Sequence, residues 1–253
     1  MSLCAALSEV GGDVVPPFKM SERFFPADRV IFEQCEVGRE FCVIVCGWAV
    51  QFELVPDGRR QILDFLLPGS IAGFQPDGEA RSSCGVQALT GVRACWFSTE
   101  RFFDAAKSNP ALALRLAALA NRSNHRSLRR LTLIGRRTAK ERVAALLLDL
   151  YRQVRRWWVS PRDDEISLPL TQEHIGDALG LTSVHVNRML RELREEGVLV
   201  LTRGVLRLLD PGRLVEIVGG DGYGYGYLRN PSPAMSEERR NQHRLMRQAQ
   251  VSE

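Results

Sequence analysis

The chain has two textures. Between residues 29 and 97, short β-prone runs alternate with turn residues, and from Ser98 onward apolar residues recur every three or four positions. The β-prone runs are residues 29–32, 41–45, 49–54, 60–66, 85–89 and 92–97. Pro26-Ala-Asp28, Glu36-Val-Gly38, Pro56-Asp-Gly58, Pro68-Gly69, Pro76-Asp-Gly78 and Thr90-Gly91 separate them. Asp57-Gly58 between two such runs is a hairpin signal, and strands spaced by roughly ten residues predict a sandwich or barrel.

The helical texture starts with Thr99 as a cap and a short helix over 100–108. Pro110 suits the first turn of a new helix, which meets no further Gly or Pro before about residue 134. Two stripes run along that helix. Leu112, Leu116 and Leu119 form a bulky patch suited to packing on the β-domain. Ala113, Ala117, Ala120, Asn124, Ser127, Leu131 and Ile134 follow alternating steps of four and three, a seven-residue repeat that favours a dimer seam over an ordinary amphipathic core helix. Thr138-Ala-Lys-Glu141 is a capping box for a helix through about 156, with Val143, Leu146, Leu147, Leu150, Tyr151 and Val154 at helical spacing. A polar loop, Pro161-Arg-Asp-Asp-Glu165, follows.

Residues 168–209 are the most informative stretch. Thr171 caps a short helix over 172–179 that turns Ile175, Ala178 and Leu179 inward, and Gly180 ends it. Thr182 caps the next helix, with Val186, Met189, Leu190 and Leu193 inside and Gly197 at its end. Two strands, 198–201 and 205–208, join across Thr202-Arg-Gly204. Two short helices around a glycine turn and a small hairpin make a winged helix-turn-helix. Its second helix presents Ser183, Val184, Asn187, Arg188 and Arg191 outward near an end that enters a major groove. Arg188 matches guanine N7 and O6 with two donors, and Asn187 reads a base or holds phosphate. Arg203 and Arg194 neutralise phosphates and Thr171 hydrogen-bonds one, which sets register but not sequence. The competing reading is a winged helix that docks a partner protein, or a ligand-binding module without direct DNA readout.

Charge supports the polyanion reading. Across 253 residues the net charge is only +4, but residues 1–109 carry −4 and residues 110–217 carry +7. The basic residues are nearly all Arg; only Lys19, Lys107 and Lys140 are lysine. A 45% apolar, 25% charged composition excludes wholesale disorder. No apolar run is long enough to span a bilayer, and the N-terminus lacks a basic signal region, so the expectation is a cytoplasmic protein without membrane partners. Six cysteines are then expected as thiols. After Ile217, Gly219-Gly-Asp-Gly-Tyr-Gly-Tyr-Gly-Tyr227 and a charged remainder predict a disordered tail.

These pieces, in this order, resemble the Crp/Fnr family of bacterial transcription regulators. Phe25-Pro-Ala-Asp-Arg-Val-Ile-Phe32 looks like the entry strand of that family's sensor β-roll. Val43-Ile-Val-Cys-Gly-Trp48 and Gly58-Arg-Arg-Gln-Ile-Leu-Asp-Phe-Leu-Leu-Pro-Gly69 resemble its middle strands. Ile134-Gly-Arg-Arg-Thr-Ala-Lys-Glu-Arg-Val143 looks like the hinge, and residues 170–190 resemble the DNA-reading motif. The resemblance implies an α+β chain with a cupin-like N-terminal β-roll, a long dimerisation helix and a C-terminal winged helix-turn-helix. It divides the chain into an N-terminal extension (1–24), sensor roll (25–109), dimerisation helix (110–136), DNA-binding domain (137–217) and tail (218–253). It also implies a non-enzymatic homodimer on a two-fold symmetric promoter site, touching RNA polymerase if it activates. The candidate DNA contacts are Thr171, Thr182, Ser183, Val184, Asn187, Arg188, Arg191 and Arg203. Arg188 falls where the family places its guanine-reading Arg. Val184 falls where many members carry Glu; valine cannot accept a hydrogen bond but can touch a thymine methyl.

The effector is where the sequence departs from the family. Cyclic-nucleotide binders place a Glu after a Gly for the ribose, and here Phe74 follows Gly73. Arg81, Ser82 and Ser83 offer a candidate phosphate site, shifted by one from the family's Arg-Ser register. Iron–sulfur members cluster cysteines at the N-terminus, and here Cys4 stands alone. No cofactor is therefore predicted; a cyclic nucleotide and an iron–sulfur cluster are both disfavoured, and no metal site is expected. Structural cysteines are the leading reading, with Cys35 and Cys42, near turns, as the candidate redox pair. All four histidines lie outside the roll, against a metal-dependent cupin enzyme.

Overall fold

The structure, a computed structural model, describes residues 19–75, 81–157 and 164–220. The Pro76-Asp-Gly78 turn, residues 161–163 of the polar loop, Cys4 and the tail beyond residue 220 lie outside the described residues. The chain divides into two compact units, Met1–Arg129 and Arg130–Glu253.

Among the described residues, the first unit holds eight strands: β1 (Lys19–Phe25), β2 (Val30–Phe32), β3 (Glu40–Cys46), β4 (Ala49–Leu54), β5 (Arg60–Leu66), β6 (Ile71–Ala72), β7 (Gly85–Ala88) and β8 (Val92–Ser98). They form two antiparallel sheets, ordered β1-β8-β3-β6 and β2-β7-β4-β5. β3 is buried on both faces, and the alternation explains how. Cys42 and Ile44 point with Ala94 and Trp96 into the core between the sheets, where Ala49, Leu66, Val86 and Ala88 meet them. Phe41 and Val43 point the other way with Cys95 and Phe97. There they are covered by Phe102 of helix α1 (Thr99–Ser108) and by Leu112 and Leu116 of helix α2 (Pro110–Arg136).

All six β-prone runs are strands, and two further strands were not anticipated. Residues 1–24 are not wholly an extension, because β1 is the edge strand of the first sheet and pairs with β8 from Lys19↔Phe97 to Phe25↔Val92. Its pattern is inverted, which hides it. Arg23 lies over the Trp96 ring at 4.0 Å and Ser21 pairs with Trp96, while the apolar Met20 and Phe24 are exposed. β6 is only two residues long and held by β3. The cap of α1 is also moved: Ser98 accepts from the Arg101 N–H, and Thr99 is buried with its own N–H donated to the Arg39 carbonyl.

The second unit contains helices α3 (Ala139–Trp157), α4 (Gln172–Leu179), α5 (Ser183–Glu195) and α6 (Pro211–Val218). Its small sheet runs β10 (Leu199–Thr202), β11 (Val205–Leu208), β9 (Glu165–Ser167). The Thr138 box opens α3: the Thr138 N–H donates to Glu141 Oε2 at 2.8 Å and the Glu141 N–H to Thr138 Oγ1 at 3.3 Å. That backbone donor, with Arg137 Nη1 at 3.1 Å, holds the Glu141 carboxyl below its usual range. Val143, Leu146, Leu147, Leu150 and Val154 are buried as their spacing predicts. β9 and α6 are additions. β9 is an edge strand with one buried residue, Ile166, whereas α6 had a readable start: Asp210 caps it and Pro211 takes its first turn. The result is an α+β fold. Among the described residues no helix is long and apolar enough to cross a membrane.

Candidate nucleic-acid interface

The geometry of α4 and α5 follows from their caps and one close approach. Gly180, in the left-handed region at φ 64°, ends α4. The chain then folds back so tightly that the Leu181 N–H donates to the Gly176 carbonyl at 3.0 Å. Ile175, Ala178 and Leu179 of α4 meet Val186, Met189 and Leu193 of α5, all buried; Leu190 is half-buried. Both helices open with Thr-x-x-His. The His174 N–H donates to Thr171 Oγ1 at 3.1 Å, and the Thr171 N–H donates back to His174 Nδ1 at 3.2 Å. An Nδ1 that accepts leaves the imidazole proton on Nε2. In the second helix the His185 N–H donates to Thr182 Oγ1 at 3.3 Å, and His185 Nδ1 lies 2.9 Å from the same oxygen. His174 thus completes a capping box, whereas the His185 ring meets only the Thr182 hydroxyl. The sequence signal was a capping box with histidine at the usual Glu or Gln position.

With the inner face of α5 used up, its leading polar residues are outside. Thr171, Thr182, Ser183, Val184, Asn187, Arg188 and Arg191 are all exposed, Val184 by 79%. His185 is exposed beside them on the first turn, where its sequence position allows a phosphate contact rather than packing. Two weak ion pairs lie along this face, Arg188 to Glu192 at 3.9 Å and Arg191 to Glu195 at 3.6 Å. Exposed pairs of this length are worth little and yield readily to a phosphate or base.

The wing is a two-residue hairpin closed by Thr202↔Val205. Arg203 sits in it at φ 49° and Gly204 at φ 72°. Left-handed backbone at both central positions is the turn that favours Asn-Gly, so arginine there carries backbone strain of about 1 kcal/mol. Strain of this kind collects at functional positions.

On α2 the leucine patch is where it was expected, but the outward stripe is not quite the expected one. Ala113, Ala117, Ala120, Asn124 and Leu131 are exposed, whereas Ser127 and Ile134 are half-buried and the Ser127 hydroxyl donates to the Ser123 carbonyl. The large apolar side chains left in solvent are Leu114 (72%), Leu128 (51%) and Leu131 (65%). Leu114, Ala117, Asn121, Asn124, Leu128 and Leu131 keep the three-four spacing and are all exposed. This stripe shares Ala117, Asn124 and Leu131 with the sequence reading and shifts the rest by one residue.

In the roll, Phe74 packs edge-on against Phe41 at 5.3 Å and near Phe102 at 6.3 Å. Arg81 is exposed and donates to the Cys35 carbonyl at 3.0 Å, the buried Ser82 hydroxyl donates to the Cys84 carbonyl at 2.6 Å, and Ser83 is exposed. Cys35 and Cys42 do not form a reactive pair. Cys35 is exposed, in the left-handed region at φ 66°. Cys42 is fully buried in the core, and desolvation pushes its thiol up to about 12. The native protein at pH 8 should therefore let iodoacetamide alkylate Cys35 and leave Cys42 untouched until it is unfolded. Peptide mass mapping checks this, and a native adduct on Cys42 would contradict the burial argument.

Comparison with known proteins gives matches along both units. Residues 141–217 match the family model of a Crp-like helix-turn-helix domain, and residues 22–109 match that of a cyclic nucleotide-binding domain. The nitrogen fixation regulation protein FixK of Bradyrhizobium diazoefficiens is 33% identical over 190 residues, 75% of this chain and 78% of the relative. The transcriptional activatory protein AadR of Rhodopseudomonas palustris is 30% identical over 213 residues, 84% of this chain and 87% of the relative. Among solved structures, FixK2 from Bradyrhizobium japonicum superposes with a TM-score of 0.70 at 29% identity, over 78% of this chain and 96% of that one.

Proposed function

The chain belongs to the Crp/Fnr family of DNA-binding transcription regulators, not to an enzyme family, and from that premise we propose how it holds DNA. Members of the family bind double-stranded DNA as dimers. Two copies of this chain pair along α2 through the Leu114–Leu131 stripe. Each inserts the first turns of α5 into a major groove of a two-fold symmetric promoter site. The observation that carries this reading is the exposed, basic leading face of α5 on a fully packed inner face.

Within that face the roles divide by chemistry. Arg188 takes a guanine edge with two donors, Asn187 and Ser183 reach neighbouring base or phosphate atoms, and Val184 packs on a thymine methyl. Thr171, Thr182, Arg191 and Arg203 hold the backbone and set register. The half-site accordingly differs from one read by a Glu at the Val184 position. AadR is a transcriptional activatory protein, which favours an activator that touches RNA polymerase in the cytoplasm.

The roll does not fit a cyclic nucleotide. The position for a ribose acceptor is Phe74, committed to an aromatic cluster; the buried Ser82 hydroxyl donates to the Cys84 carbonyl, and Arg81 gives one of its five donors to the Cys35 carbonyl. We assign no cofactor.

The test is a fluorescence-anisotropy titration of promoter DNA at several salt concentrations, with wild type and Arg203→Asn. Wild type binds, with log affinity falling linearly in log salt. Asn accepts the left-handed backbone, so the variant melts higher, by a gain of up to about 1 kcal/mol. It binds all sequences more weakly and its salt slope drops by about one. Wild type that ignores DNA in dilute buffer would refute the reading; an unchanged slope would remove Arg203 from the interface.

A further inference from the structure

Opposite the exposed stripe, α2 carries a second one. Leu112, Leu116, Leu119, Ser123, Arg126 and Arg130 follow steps of four and three, and all are buried or half-buried. The three leucines rest on the outer face of the first sheet. Halfway along, the stripe turns polar and a different partner takes over. Asp64 of β5 is 1% exposed. Its Oδ2 accepts from Arg126 Nη2 at 2.7 Å, Arg126 Nε at 3.0 Å and Ser123 Oγ at 3.2 Å. Its Oδ1 accepts from Arg126 Nε at 3.2 Å and from the Phe65 N–H at 3.0 Å. Asp64 pairs with Gln51 as Leu66 pairs with Ala49, and Leu66 and Ala49 belong to the core between the sheets. The carboxylate therefore sits on the interior side of the second sheet. One helix is tied to one sheet by leucines and to the other by a buried ion pair.

The two ties differ in kind. Apolar packing is non-directional, so leucines on a sheet resist separation better than they resist rolling of the helix about its axis. A guanidinium on a fixed carboxylate is directional. Moving half of the outward stripe by one residue, with Ala117, Asn124 and Leu131 kept, is a roll of about 50°. We propose that the Asp64–Arg126–Ser123 cluster is a rotation lock. It selects the Leu114–Ala117–Asn121–Asn124–Leu128–Leu131 stripe over the neighbouring Ala113–Ala120–Ser127 line, so the pairing face of α2 is set by a carboxylate in the roll. The proposal rests on the reading that two copies pair along α2.

The experiment combines sedimentation equilibrium with oxidative cross-linking, in a full-length Cys4→Ser, Cys35→Ser background. Leu128→Cys and Ser127→Cys each report one rotation of α2. With Asp64 intact, Leu128→Cys cross-links the dimer and Ser127→Cys does not. Asp64→Asn and Arg126→Gln each weaken dimerisation and promoter binding by on the order of tenfold or more, because each leaves half of a buried pair without its partner. They also erase the preference for position 128. The double variant, which restores a neutral amide pair, recovers part of both. If Asp64→Asn fails to fold by circular dichroism, Ser123→Ala supplies the milder arm, with the same direction of change. Dimer constants within twofold of wild type and an unaltered 128-over-127 preference, even with a lowered melting temperature, would reduce the cluster to a stabiliser of the roll and overturn the lock. Monomeric wild type would instead remove the pairing along α2 on which it rests.

Discussion

Arg188→Ala lowers affinity for the promoter site by roughly 1–3 kcal/mol, and nearly all of the loss is specific to one base pair in each half-site. Arg188 is exposed on the second turn of α5, with only a 3.9 Å contact to Glu192 to give up on entering a groove. A guanidinium offers two parallel donors to guanine and none of the other bases returns the same pattern. Removing it abolishes a preference rather than general adhesion. The measurement is a competition titration against a set of single-base variants of the site. The wild type discriminates at the guanine by about tenfold or more, and the variant is flat there while its salt slope falls by no more than one. Equal weakening on every sequence would reassign Arg188 to the phosphate backbone. Arg188→Lys is expected to recover charge but little discrimination, because an ammonium lacks the fork.

Gly176→Ala disables the reading helix from inside. A Cβ at this position would lie 2.4 Å from the Leu181 carbonyl oxygen, which is backbone and has nowhere to retreat while α4 and α5 stay packed. Alanine improves the intrinsic helix preference of α4 by up to about 1 kcal/mol, and forced overpacking costs roughly 1–3 kcal/mol. The steric term wins because the opposing atom is backbone of Leu181, a residue whose own N–H is held to the Gly176 carbonyl at 3.0 Å. Thermal melting of the variant should show a destabilised second unit, and promoter affinity should fall with no change at any contact residue. Gly180 gives the internal contrast. Nothing lies within 4 Å of its missing Cβ, and its demand is only for φ 64°. Gly180→Asn should therefore be mild where Gly176→Ala is severe, and the reverse order would refute the close-approach argument.

The two substitutions act on different layers of one device. Arg188 is chemistry presented at the surface, and Gly176 is the clearance that lets the surface be presented. Gly176 carries no sign of its role in the sequence. A glycine inside a helical pattern reads as a weak point, and only the return path of the chain shows it as a contact.

The parts of this protein that can be read without coordinates are those in which neighbours along the chain do the specifying. Alternation and Asp57-Gly58 locate β4 and β5, the Thr138–Glu141 box opens α3, and two threonine caps around Gly180 give the helix-turn-helix. The exposed α5 residues follow from the same periodicity that buries Val186, Met189 and Leu193. Tertiary contact decides the rest. β1, β6 and β9 take their hydrogen bonds from a partner strand, so their own residues need not alternate, and in β1 Ser21 and Arg23 share the Trp96 side with Phe25 while Met20 and Phe24 are exposed. Whether Cys42 is a reagent or a core atom depends on what covers it. The helix spacing of α2 allows two adjacent outward stripes, and spacing alone is indifferent between them. The choice falls to Asp64, more than fifty residues earlier in the chain, because a buried carboxylate accepts Arg126 in one orientation only. Local periodicity says which residues share a face; only the distant partner says which way that face points.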